Sequence, residues 1–305
     1  MDNNSNVMIY KLEKTLGKVL PHRSKYFLYH SLRRILALTP SVKLQRPIFI
    51  FTHHKVSTVL MSNVFRRICN DLGLKYCKVY GYCEEAPLNF DVVLFEHGLV
   101  SKEVLDSDFI GVHIRRDPRD IVVSGYLYHR HTIEKWCTNI PDKTLASISF
   151  PQVDYSIEHM STDWKKSFVK RLDGMSYQQK LLSLSKSDGI NFEIDNYASW
   201  TINTLKKWDY SNVKIMELKM EDISTNYENI FLELFEFFGF TENVISLCML
   251  RAKEQNINSM SEEEIRKNKH IHSGSISKWK KHFSKENETY FNEKFSDVVE
   301  LIGYK

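Results

Sequence analysis

The sequence contains four short runs of mostly apolar and β-branched residues, separated by segments whose apolar positions recur at helical spacing. Alternating strand and helix patterns are typical of a parallel sheet that is covered by helices on both faces. The pattern therefore predicts an α/β fold, with three layers (α/β/α) around a central parallel sheet of four or five strands. The predicted strands are PIFIF (47–51), DVVLF (91–95), FIGVHI (109–114) and VKIMEL (213–218).

Two helices are predicted from their ends as well as from their periodicity. The helix after STVLM carries apolar residues at near-helical spacing through Leu72, and Gly73 is placed to end it. A second helix is predicted to begin after Asp117, because Pro118 suits the first helical position and Asp120 adds favourable negative charge to the first turn. In both cases a predicted strand leads through a short turn into a helix.

A third helix is predicted in TNYENIFLELFEFFGF, with Thr225 and Glu228 as a capping box at its start and Gly239 as its stop. The chain has no internal repeat, no low-complexity tract and no convincing Gly/Ser linker. We therefore predict one domain over residues 47–305, with residues 1–46 as a helical extension packed on it.

Composition and charge narrow the class of protein. The 305 residues have a formal net charge of +4, with 42% hydrophobic and 12% aromatic residues, which is typical of a folded globular protein. The mild positive charge fits an anionic substrate but falls short of the basic stripe of a nucleic-acid binder, so we expect no nucleic acid as a partner.

The five cysteines have no CxxC spacing, which favours free thiols in a reducing compartment. No secretory signal is recognised and no apolar run reaches the length of about 18 residues needed to span a membrane. We therefore expect a cytoplasmic protein without an integral membrane span. The basic, loosely amphipathic stretch 9–40 leaves a second interpretation open, in which its helices lie on a membrane surface.

The stretch FIFTHHKVSTVLM (49–61) runs from an apolar strand through a short polar turn into a helix. The unpaired N–H groups and the dipole at a helix start attract anions. Lys55 adds a positive charge, and Ser57 and Thr58 add hydroxyl donors. The glycines of a Walker A loop are missing. The stretch predicts a phosphate site, with an ordinary strand-to-helix connection as the alternative.

The stretch GVHIRRDPRDIVVSGYLYH (111–129) has a similar arrangement. Arg115 and Arg116 end a strand beside a helix start, where guanidinium groups suit phosphate oxygens, and Ser124 follows on the helix. A surface ion-pair cluster is the alternative for these charges. Two phosphate sites at the carboxyl ends of strands in one parallel sheet predict a nucleotide with phosphate on the 5′ and 3′ sides of one ribose.

Four stretches, in order along residues 47–303, resemble motifs of the sulfotransferases that use 3′-phosphoadenosine 5′-phosphosulfate (PAPS). THHKVSTVLM resembles their 5′-phosphosulfate loop, and RDPRDIVVSGYLYH resembles their 3′-phosphate motif. MELKMEDISTNYENIFLELFEFFGF resembles a strand-helix stretch of the family, and HSGSISKWKKHFS resembles its C-terminal G-x-x-G-x-W-K segment. The resemblance implies a P-loop-like fold. It also implies nucleotide binding by Lys55, Val56, Ser57, Thr58, Val59, Arg116, Ser124, His272, Ser273 and Gly274.

The resemblance is incomplete at several places, including Phe95 near the expected base and Ser284-Lys285 in the segment that resembles the dimer motif of the cytosolic enzymes. Ser57 stands where the family has glycine, and Leu60 stands where an aromatic residue commonly stacks on adenine. His272 and Ser273 replace an Arg-Lys pair before the C-terminal glycine. We therefore expect the loop to close over a small side chain and adenine to be held differently.

The resemblance implies in-line transfer of a sulfuryl group, in which the protein orients the reactants, neutralises the leaving group and removes the acceptor's proton. We expect Lys55, assisted by Thr58, to act on the leaving phosphate oxygen. The base is expected at the end of DVVLFEHGL. His97 is the first choice because its ordinary pKa suits proton abstraction at neutral pH, and Glu96 is the reserve. A strand-end histidine bonded to the backbone is the alternative for His97.

The three histidines His53, His54 and His97 also suggest a metal site. Adjacent residues at a strand end point to opposite sides, however, so His53 and His54 cannot easily bind one ion, and we expect no metal.

The segment 128–196 is mostly helical, polar and aromatic in pattern, and we expect it to form the acceptor-binding or lid region. Tyr128, His129 and His131 leave the nucleotide helix toward this segment and are the candidate substrate-binding residues. Exposed helix-end positions without a function are the alternative for these three. The expected acceptor is a hydroxyl group of a small molecule or a sugar.

The sequence thus predicts a PAPS-dependent sulfotransferase that releases adenosine 3′,5′-bisphosphate (PAP) and uses no metal. Two alternatives remain open at this point. One is a catalytically inactive protein that binds PAP or PAPS. The other is a P-loop kinase, which would need the missing glycines and a carboxylate for Mg²⁺. No oligomeric state is predicted.

Overall fold

The computed structural model describes residues 42–141, 162–257, 260 and 276–305. The strands are β1 (Ile48–Phe51), β2 (Tyr76–Val79), β3 (Val92–Phe95), β4 (Ile110–Arg115) and β5 (Ile215–Lys219). The helices are α1 (Thr58–Leu72), α2 (Lys102–Asp106), α3 (Pro118–His129), α4 (Lys135–Thr138), α5 (Thr162–Leu172), α6 (Tyr177–Ser183), α7 (Lys186–Asp195), α8 (Tyr197–Lys207), α9 (Met220–Thr225), α10 (Tyr227–Phe237), α11 (Glu242–Lys253), α12 (Trp279–His282) and α13 (Lys285–Leu301). Residues 1–41 of the predicted N-terminal extension lie outside the described residues.

The five strands form one parallel sheet in the order β2-β3-β1-β4-β5. The prediction of a parallel α/β sheet with four or five strands is therefore confirmed. The central strand, β1, is paired with β3 on one side and with β4 on the other. The chain moves from β1 outward to β2 and later crosses to the opposite side at β4. The carboxyl end of β1 thus lies where the chain order of the strands reverses, which is the usual ligand position in open α/β sheets.

The side chains of β1 alternate between two cores, as the two-residue period of a strand requires. Ile48 and Ile50 pack into the larger core, which most of the helices cover. Phe49 and Phe51 pack into a smaller core on the other face of the sheet, with Trp208 after α8 and residues of α2. The two faces of the sheet therefore carry apolar cores of unequal size.

The predicted ends of two helices are confirmed. The helix α1 ends at Leu72, and Gly73 follows with φ 70° and donates its N–H to the Cys69 carbonyl. The helix α3 begins at Pro118, and the side chain of Asp117 caps it by accepting a hydrogen bond from the Arg119 N–H at 2.9 Å.

The predicted capping box of the third helix is wrong. Thr225 ends the preceding helix α9, and its hydroxyl donates to the Glu221 carbonyl at 3.1 Å. Asn226 precedes α10 without a side-chain capping bond. The predicted stop is close to correct, since α10 ends at Phe237 and Gly239 has φ 76°. Within the described ranges, no helix is long and apolar enough to cross a membrane.

Candidate functional site

A cavity of about 450 Å³ lies beyond the carboxyl ends of the central strands. Its volume is in the range of small-molecule sites. The wall includes the β1–α1 loop, the segment after β3 and one side of α3, together with more distant residues such as Tyr197 and Lys278. The predicted site residues that line it are Lys55, Val56, Ser57, Thr58, Val59, Glu96, His97, Arg116, Ser124 and Tyr128.

The β1–α1 loop has a backbone conformation that usually favours glycine. Lys55 has φ 62° and Ser57 has φ 57°, in the left-handed region where an L-residue costs roughly 1–2 kcal/mol. The Val56 N–H donates to the His53 carbonyl at 2.9 Å, and the Thr58 hydroxyl donates to the same oxygen at 3.0 Å. The loop closes over the Ser57 side chain, whose buried hydroxyl has no partner among the described residues.

The ammonium group of Lys55 lies 3.7 Å from the centroid of the Tyr128 ring. Burial, followed by the charge of Arg116, lowers the pKa of Lys55 to about 7, and Glu134 acts in the opposite direction. A bound anion favours the charged form of a neighbouring ammonium. Lys55 is therefore placed to bind an anion and to take up a proton as it does so.

Arg116 connects the two predicted phosphate sites. Its Nη1 donates to the carbonyl oxygen of Lys55 at 2.8 Å, so the guanidinium at the start of α3 holds the β1–α1 loop. Its Nη2 lies 3.9 Å from Oδ2 of Asp120, and Ser124 follows one helical turn later at the cavity wall. Asp120 also accepts the N–H of Trp279 at 2.9 Å. The two predicted sites therefore share one wall.

The other arginines of the RRDPRD stretch form ion pairs away from the cavity wall. Arg119 donates two side-chain hydrogen bonds to Asp117, at 2.9 and 2.8 Å. Arg115 lies 3.8 Å from Glu217 on β5. The ion-pair interpretation thus holds for Arg115 and Arg119, while Arg116 pairs with Asp120 and also lines the cavity.

Glu96 and His97 lie just after β3. The carboxylate of Glu96 forms an ion pair with Lys78 of β2. His97 is only 5% exposed and packs its ring edge-on against Tyr80, with the centroids 5.0 Å apart. Burial and the charge of Lys78 lower the pKa of His97 to about 4. This imidazole is therefore neutral near pH 7 and a weaker base than an exposed histidine.

His53 and His54 point in opposite directions. The buried His53 has its Nε2 2.8 Å from Nε2 of His113 on β4, and His113 continues to Glu217 at 2.8 Å. His54 lines the cavity instead. Within the described part of the chain, no group of three or more His, Cys, Asp or Glu side chains has the arrangement of a metal site.

His54 begins a chain of polar side chains that the sequence did not predict. Its Nε2 lies 3.2 Å from Nε2 of His129, and Nδ1 of His129 lies 2.9 Å from Oε2 of Glu193 on α7. The Tyr177 hydroxyl donates to the same carboxylate oxygen at 3.0 Å. Since His129 and Glu193 are fully buried, this chain links the cavity wall to the interior of the helical layer.

The three candidate substrate-binding residues lie at different depths. Tyr128 lines the cavity, and its hydroxyl donates to Glu134 at 2.8 Å. His129 is fully buried behind the cavity wall, whereas His131 is exposed and does not line the cavity. The interpretation as exposed helix-end residues therefore fits His131 alone.

His272, Ser273 and Gly274 lie outside the described residues. Lys278, which was not among the predicted site residues, also lines the cavity, and its pKa is lowered by burial and by Arg116. Its position directly before the tryptophan of the C-terminal segment was a usable signal. Tyr197 and Glu134 also line the cavity, but no motif marks them.

Comparisons with known proteins give one family and several solved structures. A model of a family described as the sulfotransferase domain matches residues 92–303. A mouse sulfotransferase complexed with PAP is 13% identical and has a TM-score of 0.42, with 84% of this chain and 84% of that chain covered. Retinol dehydratase in complex with androsterone and the inactive cofactor PAP is 13% identical and has a TM-score of 0.42, with 87% of this chain and 84% of that chain covered. The comparison with curated proteins found no match.

Proposed function

Since the chain belongs to the sulfotransferase domain family, whose model matches residues 92–303, we propose that it transfers a sulfuryl group from PAPS to a hydroxyl group. The acceptor is a small molecule or a carbohydrate, and PAP is the second product. The reaction needs no metal, because the transferred group is not part of a polyphosphate that requires Mg²⁺.

The observation that carries this proposal is the hydrogen bond from Arg116 to the Lys55 carbonyl, at 2.8 Å. PAPS carries a phosphosulfate and a phosphate on one ribose, so its site needs two anion-binding elements at a fixed separation. In our proposal the β1–α1 loop, with Lys55, Ser57 and Thr58, binds the phosphosulfate. Arg116 and Ser124 bind the 3′-phosphate, which His272, Ser273 and Gly274 complete.

The chemical role of Lys55 follows from its surroundings. Its ammonium lies inside the cavity, and its pKa is lowered to about 7 by burial and by Arg116. An anionic ligand raises the pKa again and keeps the ammonium charged. Negative charge that develops on the leaving phosphate oxygen is then stabilised in a site of low dielectric constant, where such an interaction is strongest.

The general base in this proposal is a histidine at the cavity wall. Glu96, the reserve candidate, has its carboxylate paired with Lys78. Among the residues that the structure describes, His97 and His54 are the histidines of the wall. We expect His97→Ala and Glu96→Ala to retain PAP binding, and loss of turnover in one of them would assign that side chain to the reaction.

We place the reaction in the cytoplasm. All five cysteines are unpaired thiols, which is typical of proteins in a reducing compartment.

The first test is thermal melting of the protein with PAP and, as a control, with 5′-AMP, which lacks the 3′-phosphate. At about a hundred times its dissociation constant, a ligand stabilises the folded protein by roughly 2.7 kcal/mol, which raises the melting temperature by several degrees. A shift with PAP but not with 5′-AMP supports two phosphate sites. The absence of a shift with PAP would overturn the proposal.

Turnover is tested next, by the release of PAP from PAPS in the presence of 4-nitrophenol, 1-butanol or methyl glucoside. PAP binding without turnover of any of these acceptors would favour the catalytically inactive binding protein.

A further inference from the structure

Glu193 is a fully buried carboxylate on α7, and its position needs a physical reason. A buried carboxylate without compensation costs several kcal/mol. Here the Tyr177 hydroxyl and Nδ1 of His129 both contact Oε2, at 3.0 and 2.9 Å. The other oxygen, Oε1, has no hydrogen-bond partner among the described residues. The carboxylate is thus held by one phenol and one imidazole and keeps an unused acceptor.

The helix α3 is shaped to admit this carboxylate. A Cβ atom on Gly125 would lie only 2.5 Å from Oε1 of Glu193 and 3.6 Å from Cε1 of His129. Glycine inside a helix is about 0.5–1 kcal/mol less favourable than alanine. Gly125 therefore allows a close approach between α3 and Glu193, and a side chain at this position would displace the carboxylate from where it lies.

The Glu193 carboxylate determines which ring nitrogens of His129 and His54 carry a proton. With Glu193 ionised, the carboxylate only accepts hydrogen bonds, so His129 carries its proton on Nδ1 and presents an unprotonated Nε2 to His54. His54 must then donate from its own Nε2 across the 3.2 Å contact. Its Nδ1 is left unprotonated and basic.

This basic nitrogen belongs to a residue at the cavity wall. The ring of His54 lines the cavity, and its Nδ1 has no hydrogen-bond partner among the described residues. His54 directly precedes Lys55, so the base and the cation that stabilises the leaving phosphate oxygen come from adjacent positions of one loop. The ring also packs against Tyr197, with the centroids 4.3 Å apart, which fixes its orientation.

We propose that His54 is the general base of the sulfuryl transfer, and that His129 and Glu193 are positioning residues that also receive the proton. This inference rests on the proposed function. As the acceptor oxygen bonds to sulfur, its O–H bond breaks and the proton goes to Nδ1 of His54. The Nε2 proton of His54 moves to Nε2 of His129, and the Nδ1 proton of His129 moves to Glu193. The sulfur–oxygen bond to the donor phosphate breaks, and its electron pair leaves on the phosphate oxygen beside Lys55.

Passing the proton on explains how a buried imidazole can act as a base. Burial lowers the pKa of His54 well below its ordinary value, and His129, Lys55 and His97 lower it further. A positive charge held on this ring would therefore be unstable. Delivery of the proton to Glu193 neutralises a carboxylate and leaves both imidazoles uncharged.

The tautomers can be measured without donor or acceptor. In protein labelled with nitrogen-15 in histidine, long-range nitrogen–proton correlations distinguish protonated from unprotonated ring nitrogens. The signals are assigned with the variants His54→Gln and His129→Gln. We expect His129 to be protonated on Nδ1 and His54 on Nε2. A His54 ring that carries its proton on Nδ1, or that is doubly protonated at neutral pH, would overturn the inference.

Turnover gives the second test, with PAPS as the donor and 4-nitrophenol, 1-butanol and methyl glucoside as acceptors. We expect His54→Ala to lower kcat by at least about 100-fold, the usual effect of a general base, while the melting shift with PAP is retained. Glu193→Gln should lower kcat by about tenfold or more with little change in KM, because the amide cannot receive the proton.

The matched control is Glu217→Gln. It makes the same substitution in another carboxylate that contacts a histidine, His113, at 2.8 Å, and Glu217 does not line the cavity. We expect it to leave kcat unchanged. A wild-type kcat in His54→Ala would overturn the assignment of His54 as the base. An equal loss of kcat in Glu193→Gln and Glu217→Gln would overturn it too, and either result would leave the PAPS assignment intact. The absence of a PAP melting shift in the wild type would overturn the donor assignment as well.

Discussion

The guanidinium of Arg116 donates a hydrogen bond to the carbonyl oxygen of Lys55, with 2.8 Å between Nη1 and the oxygen. One side chain thus faces the predicted 3′-phosphate site and also fixes the loop that is proposed to bind the phosphosulfate. Because the Lys55 backbone has φ 62°, the hydrogen bond stabilises a conformation that the residue does not favour by itself. If both sites bind as proposed, this hydrogen bond links binding at one site to the loop geometry at the other.

Replacement of Arg116 by alanine should weaken PAP binding more than 5′-AMP binding. Hydrogen bonds to charged groups contribute about 1.5–3 kcal/mol, so we expect a loss of roughly 10- to 100-fold for PAP. Titration calorimetry at fixed ionic strength measures both ligands. Arg115→Ala is the control, since Arg115 does not line the cavity. An equal loss for both ligands would contradict a role of Arg116 at the 3′-phosphate.

PAP affinity should fall as the pH rises above about 7, the value to which the pKa of Lys55 is lowered by burial and by Arg116. Above this pH the free protein has a neutral lysine, so binding must include uptake of a proton and weakens by up to tenfold per pH unit. Lys55→Arg keeps its charge throughout. Titrations between about pH 6 and pH 9 should show a flatter profile for this variant. Identical slopes would exclude Lys55 as the titrating group.

The left-handed conformation of Ser57 should limit the stability of the ligand-free protein. Ser57→Gly removes the strain at φ 57° and the unpartnered hydroxyl, whereas Ser57→Ala removes only the hydroxyl. We expect the glycine variant to exceed the alanine variant by about 1 kcal/mol in free energy of unfolding. Urea denaturation measures the difference. Equal stabilities would mean that position 57 does not hold the left-handed conformation in solution.

Glu217 should make the folded protein less stable as the pH rises. Burial raises the pKa of Glu217 to about 7, although Trp208 and Arg115 act in the opposite direction. A carboxyl group whose pKa is higher in the folded than in the unfolded protein stabilises the folded state fully below its unfolded-state pKa. This stabilisation is lost as the pH rises through the folded-state pKa.

Relative to wild type, Glu217→Gln should therefore gain stability between about pH 5 and pH 8. Denaturation of both proteins across this interval, in matched buffers, measures the difference. A difference that is constant with pH would show that Glu217 ionises alike in the folded and unfolded states.

Three predicted strands, β1, β3 and β4, have almost continuous apolar runs, as central strands of a parallel sheet do. The edge strand β5 was also predicted, because Ile215, Met216 and Leu218 outweigh its charged residues. The other edge strand, β2, was missed because it is short, pairs only with β3, and contains Lys78 beside half-buried residues. A polar, half-exposed strand of this kind has no pattern that separates it from a loop.

The predicted anion sites depend on contiguous motifs, and the structure brings most of their residues to one cavity. The series of side-chain contacts from His54 through His129 to Glu193 could not be predicted in this way. Its contacts join residues 75 and 64 positions apart in sequence. In addition, a glutamate on a predicted helix is expected to be solvent-exposed, because glutamate is almost never fully buried unless it is paired. Only the packing of α3 against α7 reveals the partner.

His53 and His54 are neighbours in sequence but serve separate networks, one reaching His113 and the other facing the cavity. Successive side chains of an extended segment alternate between its two faces, and a shift of one residue exchanges them. Insertion or deletion of one residue between β1 and His54 would therefore send the wrong histidine to each side. A change of two residues would restore the alternation but would move both side chains along the segment, away from His113 and His129. The number of residues between β1 and this turn is therefore fixed by two separate contacts at once.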